Sequence, residues 1–348
     1  MDNLVNLYQP RTMLAGLRQV LPPKRFFHDT FFRGIVTHET ETVEFDLFKG
    51  SRRIAAYVNP IRDGRVVERE GFATRTTRPA YIKEKTAIRP KDTRTRGFGE
   101  TIYNASTPEQ RAAQILGQDL AMLEDRIVRR EEQMCAEALL TGKVIVKGDG
   151  WDAEVDFGYD SSNKKVLSGT DVFDNPDNKN ILEILDSWRL DTIKRCGIVP
   201  THCIIGNKVA WAIMKNKEIR EVLDNTRMHF GAIAPGAGPE GISNIGVLQL
   251  PTGTVNLVCY NEWYTDPVSG LSIPLMPDDK VLLGSTNARC EFHYGLIQNM
   301  HSLTASTRFP MSWTEPNGSA RWVQLETAPM PNIYQVDAFT IASVLGNV

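Results

Sequence analysis

Gly236, Gly238 and Gly241 fall in the spacing G-x-G-x-x-G, which between a strand and a helix lets backbone amides hold a pyrophosphate. Here Pro239 would disturb the start of such a helix, no strand runs directly into the glycines, and no βαβ unit follows; the stretch 229–244 is expected to be a flexible loop. His202 and Cys203 are adjacent, so in a strand they point to opposite faces and cannot act as base and nucleophile. His293 and His301 are eight residues apart with no third ligand nearby, too little for a metal site. His28, His38 and His229 stand outside any carboxylate or cysteine constellation, and the Asp278-Asp279 pair sits in a turn as a solvated pair. There is no phosphate-loop lysine motif and no Gly-x-Ser-x-Gly elbow. The residues able to do chemistry thus predict no catalytic centre, no cofactor and no metal.

Composition narrows the remaining classes. The 348 residues carry a formal charge of -2 and 41% hydrophobic side chains, ordinary for a folded protein of two or three domains. The overall balance makes no case for nucleic acid or membrane as a partner, and no stretch of about eighteen apolar residues reads as a span. Cys135, Cys196, Cys203, Cys259 and Cys290 are odd in number and without Cys-x-x-Cys spacing, which predicts reduced, mostly buried thiols in a cytoplasm-like compartment.

The charge is unevenly distributed. Between Lys49 and Arg96 there are fourteen Lys or Arg against five Asp or Glu, leaving about -11 for the rest of the chain. The stretches VEFDLF (43–48) and IAAYVNPI (54–61) read as strands around an Asp63-Gly64 hairpin signal. A basic hairpin with few large apolar residues cannot form its own core, so it should project towards an acidic face of a neighbouring copy; direct nucleic-acid contact and a solvated face are the weaker readings.

One helix must position these parts. Thr107, Pro108 and Gln110 form a capping box with proline at the first position, strong helix formers follow, and Gly142 is placed for a left-handed cap. Leu116, Leu120, Leu123, Ile127, Met134 and Ala138 line one face, leaving Glu124, Asp125, Arg126, Arg129, Arg130, Glu131 and Glu132 for a charged one. At about 1.5 Å per residue the helix is roughly 50 Å long, too long for one small core, so it should brace an extended subunit. Before it, Pro22-Pro23 and the cluster Phe26, Phe27, Phe31 and Phe32 predict an arm laid along another surface and anchored by its phenylalanines, the alternative being an ordinary first helix and strand. After it come two strands (143–160), a surface loop (161–180), helices over 181–196 and 207–225, a buried strand within 198–206, further strands, and a tail of two strands rejoining the sheet beside the long helix. The second half predicts a mixed α/β domain.

The order of parts and the wording of FFRGIVTHETETVEFD, IAAYVNPIRDGRVVEREGFATRTTRPAYIKEKTAIRP, MPDDKVLLGSTNARCEFHYGLIQN and TASTRFPMSWTEPNGSARWVQLETAPMPNI resemble the lambda-type major capsid proteins of tailed phages, a branch of the α+β Hong Kong 97-type shell fold. The resemblance spans about nine tenths of the chain. It implies an N-terminal arm (1–43), an extended loop (44–100), a peripheral domain with its spine helix (101–175, helix 107–142), an axial domain (176–314) and return strands of the peripheral domain (315–348). It implies a shell of pentamers and hexamers around phage DNA, without catalysis, in a virion assembled in the host cytoplasm. Arg62, Arg65, Arg69, Arg75, Arg78, Lys83 and Lys85 would place the extended loop on a neighbour, and Phe230, Gly236, Gly238 and Gly241 would lie near the capsomer axis. Scaffolding, portal and decoration proteins, and DNA held nonspecifically on the inner face, are the implied partners; since the chain opens on a short arm, the scaffold is expected to be a separate protein. A non-viral compartment of the same fold and a soluble enzyme or nucleic-acid-binding protein are the rival readings.

Overall fold

The computed structural model describes residues 7–19, 25–48, 63, 72–95, 107–148, 151–175, 178, 180–216, 219, 231–237, 241–301 and 305–346. In chain order its elements begin with α1 (Pro10–Leu17), α2 (Phe26–Phe31), β1 (Gly34–Thr37), β2 (Val43–Phe48), β3 (Phe72–Thr77), β4 (Ile82–Ile88), α3 (Pro90–Arg94) and α4 (Pro108–Thr141). Then come β5 (Lys143–Gly148), β6 (Trp151–Asp156), β7 (Lys164–Val166), α5 (Ile181–Cys196), β8 (His202–Ile205), α6 (Asn207–Lys215), β9 (Gly231–Ala237), β10 (Ile242–Leu250) and β11 (Gly253–Tyr260). The last are β12 (Trp263–Thr265), β13 (Ser272–Pro274), β14 (Lys280–Gly284), β15 (Cys290–Tyr294), β16 (Phe309–Thr314), β17 (Arg321–Thr327), β18 (Pro329–Ile333) and β19 (Thr340–Ser343).

Helix α4 is the long element, and its ends follow from local chemistry. The Thr107 hydroxyl accepts the Gln110 amide at 3.2 Å while the Gln110 side chain accepts the Thr107 amide at 3.0 Å, so two otherwise orphaned donors are satisfied reciprocally. Gly142 turns left-handed (φ 77°) and returns its N–H to Ala138. A Cβ there would come within 2.3 Å of the Tyr159 ring, so glycine is required for conformation and for space.

Two cores share this helix. Leu116, Leu120, Leu123 and Ile127 of its first half pack with Met13 and Leu17 of α1, Ile88 of β4, and Val323 and Leu325 of β17. Met134, Cys135, Ala138 and Leu139 of its second half pack with Phe27, Phe31 and Phe32, with Phe292 and with Phe339. A helix too long for one core is thus covered by two, supplied by opposite ends of the chain. The expected charged face needs correction: Glu124, Glu131 and Glu132 are buried, Glu131 fully. Glu124 and Glu131 are seven residues apart and interleave with Leu120, Ile127 and Met134, so they belong to the inward stripe.

A third core lies between the seven-stranded sheet β7-β19-β14-β8-β11-β10-β9 and the helices α5 and α6. Parallel β8–β11 and antiparallel β14–β8 place the buried run Cys203, Ile204 and Ile205 at its centre. Smaller sheets complete the chain: β1-β15-β18, β16-β17-β4, and the hairpins β2-β3, β5-β6 and β12-β13.

Several sequence expectations shift. The stretch expected to be a flexible loop contains β9, which pairs antiparallel with β10, Gly236 opposite Asn244. The surface loop after β6 contributes β7 to an edge of the large sheet, parallel to β19. Helix α6 stops at Lys215, where Asn216 turns extended and its side chain donates to the Asn178 carbonyl at 2.7 Å. The tail forms three strands in three sheets: β17 beside β4, β18 beside β15, and β19 beside β14. The sequence reads these residues as strands, which are buried almost without interruption, but partner choice is decided by non-local contacts that local patterning does not encode. Strand β4 lies inside the range 44–100, yet it pairs with β17 along its whole length.

Candidate assembly surfaces and the anchored arm

The arm is anchored on this chain's own core. Phe27, Phe31 and Phe32 are buried, and Phe26 packs against them half-buried. Phe27 meets Tyr260 edge-on at 5.2 Å, Phe31 meets Phe339 at 5.5 Å and Phe32 meets Phe292 at 6.4 Å, geometries that add to the area they bury. The start of α2 is held by Glu132, whose carboxylate accepts the amides of Phe27 at 2.7 Å and His28 at 3.0 Å and the Tyr260 hydroxyl at 3.0 Å. Burial pushes the Glu132 carboxyl up to about 7, against the downward pull of these three donors.

One residue along, Glu131 is neutralised differently. Arg308 reaches it through both terminal nitrogens, at 2.7 and 2.9 Å, and reaches Glu124 through Nε at 2.9 Å. The Tyr294 hydroxyl donates to Glu131 at 3.1 Å, and Arg25 of the arm approaches to 3.8 Å. Burial disfavours the Arg308 charge, but the two carboxylates outweigh it and raise its pKa well above the usual arginine value. This node ties the arm, the spine helix, β15 and the segment before β16 together. No short-range motif announces it; the i, i+7 glutamates on an apolar stripe are its one sequence signal.

The residues expected to contact a neighbour fall into three groups. Arg62, Arg65 and Arg69 lie outside the described residues. Arg75 lies on β3, opposite Phe45 of β2; Arg78 follows that hairpin, exposed and 3.8 Å from Glu41. Lys83 and Lys85 are not on the β2–β3 pair but on β4. Lys83 lies 3.4 Å from buried Glu326, which also accepts from Tyr81 and, at 2.8 Å, from Asn299; Lys85 sits 4.6 Å over the Trp322 ring. The β4–β17 pairing claims both lysines for contacts within the chain. Of the residues expected at the capsomer axis, Phe230 and Gly238 lie outside the described residues. Gly236 is in β9, and Gly241 turns into β10 with φ 80°, where a Cβ would come within 2.6 Å of the Glu262 carboxylate. Among the described residues, β9 and the start of β10 offer no phosphate-cradling helix start.

Of two clefts of about 310 and 370 Å³ that border the spine among the described residues, the larger is lined by Arg126, Arg129, Arg130, Glu84, Tyr264 and Pro267. Its arginines are already engaged, Arg126 with Glu84 at 3.2 Å, Arg129 with Asp125 at 3.1 Å and Arg130 with Gln133 at 3.1 Å. Cys135, Cys203, Cys259 and Cys290 are buried and Cys196 is half-buried, all unpaired; burial pushes the Cys203 thiol up to about 12, away from nucleophilic thiolate chemistry. Among the described residues no helix is long and apolar enough to cross a membrane, and no three His, Cys, Asp or Glu converge as metal ligands. What the surface does present is apolar: Trp263 (48% exposed), Val268 (92%) and Leu271 (65%) on the β12–β13 hairpin.

Comparisons with known proteins agree along the whole chain. A family model described as "Phage major capsid protein E" matches residues 9–344. The major capsid protein of Escherichia phage lambda is 28% identical over 344 residues, covering 96% of this chain and 98% of the relative. That of Enterobacteria phage P21 is 27% identical over 355 residues, covering 98% and 100%. Among solved structures, a prophage capsid protein from E. coli CFT073 superposes with a TM-score of 0.74 at 20% identity, covering 96% of this chain and 98% of that one. The capsid of cyanophage P-SCSP1u follows the same fold, with a TM-score of 0.52 at 12% identity over 94% and 90%.

Proposed function

The chain belongs to the phage major capsid protein E family, and on that premise we propose that it is the repeating subunit of an icosahedral phage head, assembling through pentamers and hexamers. The observation that carries this reading is the match of one capsid family model to residues 9–344. The Hong Kong 97-type fold of the chain supports it. The role is structural: the subunit works by presenting surfaces to other copies, and its place is the virion.

The finer features belong to the same reading. The basic hairpin (β2–β3 and the residues between them) reaches an acidic face of a neighbouring copy, with Arg62, Arg65, Arg69, Arg75 and Arg78 as its positioning charges; opposite charges across such an interface fix register more than they add affinity. The turn from Gly236 to Gly241 faces the capsomer axis. We infer arm, extended loop, peripheral and axial divisions over the ranges given above, with β4 serving the peripheral sheet and β7 and β19 joining the large sheet of the axial part. Assembly takes place in the host cytoplasm on a scaffolding protein, with portal and decoration proteins as further partners, and the inner face holds DNA without base readout.

Electron microscopy of the chain, expressed alone and then with its neighbouring genes, tests the reading. Closed shells of uniform diameter are expected in at least one condition. Persistent small oligomers in both, together with turnover of a substrate or DNA binding with a steep salt dependence, would overturn it.

A further inference from the structure

His38 and His293 are 255 residues apart, yet their rings lie edge to edge, with centroids 5.0 Å apart and planes inclined by 11°, and His38 Nε2 lies 2.7 Å from His293 Nδ1. A nitrogen–nitrogen contact of that length is a hydrogen bond, so one nitrogen carries the hydrogen and the other offers its lone pair. The pair tolerates one added proton. With two, both facing nitrogens carry hydrogens that point at each other and two cations meet edge to edge, so the contact becomes repulsive.

The position of the pair gives this chemistry a mechanical meaning. His38 follows β1 and begins the short segment leading into β2, and its amide donates to the Tyr294 carbonyl at 2.8 Å. Leu296 donates to Thr40 in the same segment at 3.2 Å. His293 is buried in β15, the central strand of its sheet. The imidazole contact therefore pins the root of the projecting β2–β3 hairpin to the body of the subunit.

The groups around the pair can be named from each side. On β15, Glu291 lies 3.7 Å from His293 Nε2. Beyond β18, the Tyr334 hydroxyl lies 3.2 Å from the same nitrogen and donates to Glu291 at 3.0 Å. Arg289 stacks 4.5 Å over Tyr334 and donates to Glu291 at 3.3 Å. Strand β1 carries no titratable side chain. The segment after it carries exposed Glu39 and Glu41, with Arg78 beside Glu41. Glu291 is the one nearby carboxylate that favours a charged His293, and Arg289 and Tyr334 already engage it.

We propose that the His38–His293 pair is an acid-sensitive clasp on the root of the β2–β3 hairpin, closed while the pair holds at most one added proton and opened when both rings are protonated. Burial holds both rings below the ordinary histidine value, His293 at about 4, where His38 and Arg289 add to the effect. A base whose pKa is lower in the closed state than in the open one favours closure above the open-state value of about 6.5. That contribution is lost as pH falls towards 4. The clasp is thus fully closed at neutral pH and weakens between about 6.5 and 4. It is a property of the single chain and stands or falls independently of the shell reading.

Hydrogen exchange of the full-length chain at pH 7 and pH 4.5, corrected for the intrinsic rates at each pH, tests it. The opening constant of residues 34–44 should rise about tenfold or more at pH 4.5, as a pKa lowered by more than one unit requires, while the amides of α4 stay protected. His38→Gln, which can still donate to His293 Nδ1 without titrating, and His38→Phe, which keeps an aromatic ring in place without a titrating nitrogen, should each cut that rise several-fold. Equal opening at the two pH values, an unaltered rise in both variants, or a loss of protection spread evenly over α4 would overturn the clasp.

Discussion

Arg308 is held by two carboxylates on one helix, and this arrangement sets what its loss would do. Replacing it with Ala strips buried Glu124 of its ion-pair partner and leaves Glu131 only Arg25 at 3.8 Å and the Tyr294 hydroxyl, so destabilisation of about 3–5 kcal/mol is expected in chemical denaturation. Arg308→Lys should recover only part of this, because a single ammonium cannot span both terminal contacts to Glu131 and the Nε contact to Glu124. The same logic separates the lysines of β4 from the arginines of the hairpin. Lys83→Glu would place a second carboxylate beside buried Glu326, so it should lower the subunit's own melting temperature. Arg62, Arg65 and Arg69 reversed together to Glu should leave a folded, soluble subunit that fails to form shells. Normal shells from that triple variant, seen by negative-stain microscopy, would remove the hairpin from the assembly scheme.

At the scale of elements, the two ends of α4 and the seating of α2 are separable. Thr107→Ala removes the hydroxyl half of the capping box and should cost about 0.5–2 kcal/mol, seen as faster exchange confined to the first turn. Gly142→Ala imposes a left-handed alanine and drives its methyl into Tyr159, so it should cost more than the 1–2 kcal/mol or so of conformational strain alone. For the arm, Phe27→Ala and Phe31→Ala should each cost about 3–5 kcal/mol, the usual range for emptying a buried aromatic site. If the arm were merely laid on the surface, either change would leave the denaturation midpoint where it was.

Across the whole molecule, the spine couples parts that are remote in sequence. Its first half is covered by α1 with β4 and β17, its second by the arm phenylalanines with β15 and β18. Each core draws on both sides of the helix in the chain, so neither should persist alone. A chain truncated before Arg321 is expected to lose cooperative unfolding rather than leave the seven-stranded sheet intact, because β19 also completes that sheet beside β14; a single sharp calorimetric transition in that truncation would show the opposite. The exposed hairpin bearing Trp263, Val268 and Leu271 is the kind of apolar patch that a subunit buried among copies would cover.

The caps, period and composition of residues 107–142 determined the spine helix from sequence alone, because capping and amphipathicity are local properties that operate within a few residues. The strand VEFDLF (43–48) was legible for the same reason, though it pairs with 72–77, while the other expected strand (54–61) and Gly64 lie outside the described residues; the capsid resemblance was legible in wording rather than in pattern. Tertiary structure alone decided which strands pair: that β4 leaves the loop for β17, that the tail divides among three sheets, and that Gly236 lies in a strand. It also decided where charge is buried. Glu124, Glu131 and Glu132 read as a solvated face until Arg308, 177 residues beyond Glu131, and the backbone of the arm are brought against them. His38 and His293 each read as isolated until β1 is laid beside β15. Burial and pairing are properties of contacts between distant segments, and a sequence specifies those contacts only through the fold that brings the segments together.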